Sequence, residues 1–282
     1  MTWMQSVVIA IVEGITEFLP ISSTAHIKFT KAIMQMDPNE PFSNMFDIVI
    51  QFAAILAVIV LYFKRFVNFK DISFYIKLAI AVVPALIFGA LLKKHIDHVL
   101  GDIRIIACVT LVGGIILLFV DNWFKRAVVH REEDITYQQA LKVGCFQVLS
   151  ILFPGLSRSA STIIGGLATR LDRKVAAEFS FFLAVPTMAA ATIKELYDTW
   201  KHTPEVFHAT NANMLLAGCG IAFIVSLIAV KSFITYVQRH TFRAFGVYRI
   251  IAGLAVLALI YGGVIKNESS TENKAPVENT GK

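Results

Sequence analysis

Residues 104–120 read Arg104-Ile105-Ile106-Ala107-Cys108-Val109-Thr110-Leu111-Val112-Gly113-Gly114-Ile115-Ile116-Leu117-Leu118-Phe119-Val120, one charge followed by an unbroken apolar block. Blocks of roughly 17 to 25 such residues are what a helix needs to cross about 30 Å of hydrocarbon. Working outward, further blocks lie near 46–63, 78–92, 177–194, 213–230 and 246–265, with most of the charge held in the loops between them. The pattern predicts an all-α, polytopic membrane protein with six crossings. The span at 78–92 is short and contains Pro84, so Lys77 and Lys93 are expected to complete it by snorkelling. Of the 282 residues, 56% are hydrophobic and 16% are charged, against about 25% charged in ordinary globular chains, which excludes a soluble single-core protein. The net charge of +6 sits in loops, as expected beside anionic lipid, and implies no nucleic acid. Cys108, Cys145 and Cys219 lie inside apolar blocks and read as small buried hydrophobes, with no disulfide or zinc framework. The N-terminal segment lacks a basic n-region and a small-residue cleavage site, so it is expected to be retained.

Two other apolar stretches, 6–27 and 143–168, are broken by Pro20 and by Pro154-Gly155. Both read as re-entrant hairpins, and backbone broken at membrane depth is tolerated only where protein or a wet cavity supplies partners. They resemble each other: Phe18-Leu19-Pro20-Ile21-Ser22-Ser23-Thr24-Ala25 against Leu152-Phe153-Pro154-Gly155-Leu156-Ser157-Arg158-Ser159-Ala160. Downstream, Arg104-Ile105-Ile106-Ala107 recurs as Arg249-Ile250-Ile251-Ala252. One hairpin and three crossings per half would insert the second half upside down, an inverted repeat of the kind transporters use. The expected organisation is one membrane domain, residues 1–266, with halves of about 1–130 and 131–266, and a disordered tail from 267 to 282 that has no aromatic and almost no aliphatic residue.

Apart from His26, the first stretch has two ionisable side chains, Glu13 and Glu17, spaced i and i+4 on one helix face; the second has Arg158. Charge at bilayer depth costs roughly 3 kcal/mol on insertion scales, which makes each a functional candidate. A structural Glu17–Arg158 ion pair is the plain alternative. A second carboxylate speaks against it and suits a divalent cation of hard oxygen preference, Mg²⁺ or Ca²⁺. Ser22, Ser23 and Thr24 after one proline, and Ser157 and Ser159 after the other, put hydroxyls at helix starts, either as simple N-caps or as ligands for an anion. Arg158 adds a bidentate fork for phosphate. His26, three residues after Ser23, makes a nucleophile-plus-base pattern, whereas His95 and His98 read as decoration of a polar loop.

The segment Glu13-Gly14-Ile15-Thr16-Glu17-Phe18-Leu19-Pro20-Ile21-Ser22-Ser23-Thr24-Ala25-His26, with Pro154-Gly155-Leu156-Ser157-Arg158-Ser159 and with Glu178-Phe179-Ser180-Phe181-Phe182-Leu183-Ala184-Val185-Pro186, resembles the bacterial undecaprenyl-diphosphate phosphatase, or bacitracin resistance, family over essentially the whole chain to about residue 265. It departs from the commoner pattern at Ala25, where Gly is usual, and at Ala160 and Ser161, where Gly and Ala are usual. The resemblance implies an integral membrane phosphatase that removes the terminal phosphate of a C55 isoprenoid diphosphate and recycles the lipid carrier of wall polymers, with metal dependence and an outward-facing site. On that reading Glu13 and Glu17 hold the cation, Ser22, Thr24, Ser157, Arg158 and Ser159 bind phosphate, and Ser23 is the nucleophile. His26 then deprotonates Ser23, or activates water directly if no phosphoserine forms. Partners are undecaprenyl diphosphate and membrane lipid, with a homodimer left open. A transporter or flippase of prenyl phosphates is the competing reading, because inverted repeats and broken helices are transporter architecture. Lys and Arg near the spans number fourteen on the side of Lys64, Lys125, Arg170 and Arg239 and eight on the other, which predicts both termini outside the bacterial cell membrane.

Overall fold

A computed structural model describes residues 1–92, 99, 101–207 and 212–265. The tail from Asn267 and the His95/His98 loop lie outside the described residues. The described chain is all α: α1 (Trp3–Thr16), α2 (Ser23–Ile33), α3 (Pro41–Leu61), α4 (Phe63–Phe66), α5 (Ile72–Leu91), α6 (Ile103–Trp123), α7 (Tyr137–Leu152), α8 (Arg158–Ala168), α9 (Arg173–His202), α10 (Ala212–Val237) and α11 (Arg243–Tyr261). Helices α3, α5, α6, α9, α10 and α11 are long and apolar enough to cross a membrane, so the six expected crossings stand and the protein is a multi-pass membrane protein.

The helices outrun the apolar windows because caps, not hydropathy, end them. The Asp71 carboxylate accepts the Phe74 N–H at 3.1 Å and the Asp172 carboxylate accepts the Val175 N–H at 2.8 Å, which starts α5 and α9 several residues early. Lys77 therefore lies inside α5 and does not snorkel; it is 6% exposed and donates to the Glu133 carbonyl at 2.7 Å. Lys93 is outside the described residues. The cysteines also depart from expectation. All are free thiols, but Cys108 and Cys145 are exposed and Cys219 is half-buried. An apolar block in a bilayer has a lipid face as well as a core face, and Val112, Ile115, Ile224, Ile228, Ile251 and Leu254 share that outer surface.

The halves pack by exchange. In the first half α1 lies against α10, and in the second α7 lies against α5; α3 meets α9 and α6 meets α11, each element with its own counterpart. Small residues allow the closest approach, since a Cβ on Gly114 would meet the Gly246 carbonyl at 2.8 Å, and one on Gly246 the Gly114 carbonyl at the same distance. The Ser226 hydroxyl of α10 donates to the Gly14 carbonyl of α1 at 3.2 Å. An apolar core of Phe18, Ile163, Phe179, Phe181 and Phe182 lies between the two hairpins α1–α2 and α7–α8 and the long helix α9.

Candidate active site

Both hairpins are built alike. Thr2 with Gln5 starts α1 and Thr136 with Gln139 starts α7, each as a reciprocal capping box. Each first arm stops before its proline, and each second arm starts at a serine held at positive φ: Ser22 at 74° and Ser157 at 79°. The Ser22 hydroxyl accepts the Ala25 N–H at 3.4 Å and the Ser157 hydroxyl the Ala160 N–H at 3.2 Å. A β-carbon resists such a backbone, so both serines carry local strain of a kind that collects at functional sites. In the second turn Gly155, at φ 102°, passes so close to α6 that a Cβ would lie 2.7 Å from the Ile106 carbonyl.

The turns bring together residues 141 positions apart. Glu17 is 6% exposed. One of its oxygens accepts the Ser23 hydroxyl at 2.5 Å, and the other accepts Arg158 Nη2 at 2.8 Å. Arg158 Nη1 donates to the Ser180 carbonyl at 3.1 Å, while its buried Nε has no partner. The guanidinium also sits 5.9 Å from the Phe18 ring centroid. Glu17, Ser22, Ser23, Thr24, Ser157 and Arg158 line one cavity of about 510 Å³, whose apolar wall includes Leu86, Ala90, Ala190 and Ala191, with Lys194 and Glu195 farther along α9. Glu13 is 1% exposed and off that wall; both its carboxylate oxygens lack a hydrogen-bond partner. Among the described residues no group of three or more His, Cys, Asp or Glu side chains forms a metal cluster.

Two expectations change. His26 does not face Ser23: its Nδ1 is 2.7 Å from the Ser22 carbonyl and its Nε2 2.8 Å from the Tyr248 hydroxyl, with the two rings stacked. The Ser23 proton points instead at Glu17. Ser159 is 1% exposed and donates to the Phe18 carbonyl at 2.8 Å, tying one turn to the other rather than facing the cavity. The Glu17–Arg158 ion pair weighed as a plain alternative is present, yet it forms the wall of the cavity and leaves one Arg158 donor unused. Sequence reasoning missed Gln147, 1% exposed and lining the cavity, whose amide oxygen has no partner. The repeat offset of 134 that relates Pro20 to Pro154 also relates Glu13 to Gln147 and could have found it. It also missed Arg249, wholly buried in α11.

The family model for bacitracin resistance protein BacA matches residues 6–255. The chain is 47% identical over 260 residues to an undecaprenyl-diphosphatase of Flavobacterium johnsoniae, covering 92% of this chain and 96% of that protein. It is 43% identical over 265 residues to an undecaprenyl-diphosphatase of Bdellovibrio bacteriovorus, covering 93% and 98%. A Porphyromonas gingivalis undecaprenyl-diphosphatase is 44% identical over 280 residues, covering 94% and 99%. With a match over nearly its whole length and relatives at 43–47% identity, the chain belongs to the bacitracin resistance protein BacA family.

Proposed function

We propose that the protein hydrolyses undecaprenyl diphosphate to undecaprenyl phosphate and inorganic phosphate, returning the lipid carrier to wall synthesis and so conferring bacitracin resistance. The observation that carries this reading is the Ser23 hydroxyl held on the Glu17 carboxylate beside Arg158, at the wall of a cavity. Glu17 takes the Ser23 proton as the oxygen attacks the terminal phosphorus, and the bond to the bridging oxygen breaks, releasing the prenyl phosphate. Water then clears the phosphoserine. If no such intermediate forms, Glu17 and Ser23 orient the water that attacks. Arg158, through its unused Nε, and the helix starts at Ser22, Thr24 and Ser157 neutralise the transferring group. His26 orients the first turn and does not act as the base.

The donor set fits a hard divalent cation, Mg²⁺ or Ca²⁺. Glu13 offers two buried oxygens with no protein partner, Glu17 follows it by one turn, and Mg²⁺ is commonly held by one or two carboxylates plus substrate phosphate. When bound, such a cation would offset the charge of the diphosphate. The prenyl tail needs only the apolar wall and surrounding lipid.

Residues of the later half of α5, from Ala85 and Leu86 to Gly89 and Ala90, and of the later half of α9, among them Met188, Ala191 and Glu195, line the cavity. Both helices start on the side richer in Lys and Arg, so by the positive-inside rule the late ends, and the opening, face outside the cell membrane. Phosphate release from a prenyl diphosphate by the purified protein in detergent tests the reading. Wild type should turn over and lose activity with a chelator, while Ser23→Ala and Glu17→Gln should each fall by about 10²–10⁴-fold. Movement of prenyl phosphate across vesicles without hydrolysis would favour the flippase reading instead.

A further inference from the structure

Arg249 is wholly buried in α11, and among the described residues no carboxylate lies within ion-pair distance of it. All of its partners are backbone carbonyls. Nε donates to Thr110 at 3.1 Å, Nη1 to Pro20 at 3.1 Å and to Leu156 at 2.8 Å, and Nη2 to Gly155 at 2.8 Å. One guanidinium therefore grips α6 and both broken turns. We propose that Arg249 is a positioning residue for the hydrolysis: it clamps the two turns from behind, so that Ser23 on one and Arg158 on the other converge on a single phosphate.

Mere stabilisation does not explain the choice of residue. An unpaired charge at bilayer depth is costly, and an apolar side chain would fill the same space without it. A planar fan of five donors does what no other side chain can, reaching carbonyls of three separate segments at once. The carbonyls are also well placed. Leu156 shares its peptide with the N–H of Ser157, and a carbonyl that accepts a charged donor leaves its own N–H the stronger donor toward an anion. Pro20 lies two residues before Ser22. The neighbouring Tyr248 holds the same first turn through His26, which in turn meets the Ser22 carbonyl, so consecutive residues of α11 fix both sides of it. Gly113 makes room for the clamp, since a Cβ there would fall 2.3 Å from Arg249 Nη2. Arg104, the counterpart of Arg249 in the Arg-Ile-Ile-Ala repeat, is half-exposed and pairs with Asp102.

The inference rests on the phosphatase reading, and one experiment separates the two. Arg249→Gln, Arg249→Lys, Gly113→Ala and the Arg249→Gln/Gly113→Ala double variant are purified in detergent, with folded protein quantified by thermal unfolding and phosphate release measured over a range of prenyl diphosphate concentrations. Misaligned turns should lower kcat per folded molecule by 30-fold or more in Arg249→Gln, with KM moving less than 3-fold, because a displacement of about 1 Å is felt mainly in the reacting geometry. Arg249→Lys should not rescue it, since a point charge cannot span three segments. Gly113→Ala, which pushes on Nη2 without touching the cavity, should lower kcat about 10-fold, and the double variant should be no slower than Arg249→Gln alone. A merely structural role would lower the amount of folded protein and leave kcat per folded molecule unchanged. Wild-type-like kcat in Arg249→Gln, or, if that variant does not fold, in Gly113→Ala, overturns the clamp and leaves the phosphatase reading intact. An inactive wild type overturns the phosphatase reading and the clamp together.

Discussion

Arg158 spends one nitrogen on Glu17 and one on Ser180 and holds back a third, Nε, in a buried position. That combination separates charge from geometry. Arg158→Lys keeps the charge but cannot bridge Glu17, Ser180 and a phosphate oxygen together, so phosphate release should fall about 10²–10³-fold despite the conservative change. Lysine that turned over like wild type would reduce Arg158 to a counter-ion for Glu17. His26 predicts the opposite size of effect. With both ring nitrogens engaged away from Ser23, His26→Gln should cost less than about 10-fold and leave the shape of the pH–rate profile unchanged, whereas loss of a general base typically costs 10²–10⁴. The sequence made the ionisable members of the site legible, because Glu13, Glu17 and Arg158 are charges in otherwise apolar hairpins. It could not show who holds Ser23. Spacing along one helix favours His26, but the actual partner, Glu17, reaches Ser23 across the Pro20 turn, and Arg158 joins from 141 residues away.

At the scale of elements, the two short arms α2 and α8 begin on serines that serve two purposes at a conformation serine dislikes. Ser157→Ala keeps the unfavourable φ and loses the cap, which should cost about 1 kcal/mol. Ser157→Gly accepts the positive φ and costs only tenths of a kcal/mol as a cap. Thermal unfolding should therefore rank glycine above alanine at this position, and the reverse order would mean that the strain is not real. Helix existence was legible from apolar windows, but ends were not, because Asp71, Asp102 and Asp172 cap helices that run on through polar turns. Nor does a window tell a lipid face from a core face, which is why Cys108 and Cys145 read as buried and lie exposed.

For the molecule as a whole, the charge distribution predicts a direction that labelling can test. In a variant lacking Cys108, Cys145 and Cys219, a cysteine at the exposed Asn68 should react only with reagent admitted to the cytoplasm, and one at the exposed His202 only from outside. The reverse would place the cavity mouth in the cytoplasm. Two paired motifs suggested a repeat in the sequence, but which helix meets which was not legible, since hydropathy carries no information on helix partners.

That exchange sets an order of events during synthesis. The helix against which α1 packs, α10, begins about 200 residues after α1 ends, and at the usual 5–20 residues per second the ribosome needs roughly 10–40 s to supply it. For that interval the first hairpin, with Glu13 inside it, waits without its partner. Ala10, fully buried in the same apolar cluster as Ala222 of α10 in the finished protein, marks the moment of docking. A cysteine at Ala10 should react with a small maleimide in ribosome-bound chains stalled before Ala212 and become protected once α10 has emerged; protection in the shorter chains would mean that the hairpin finds a temporary cover of its own.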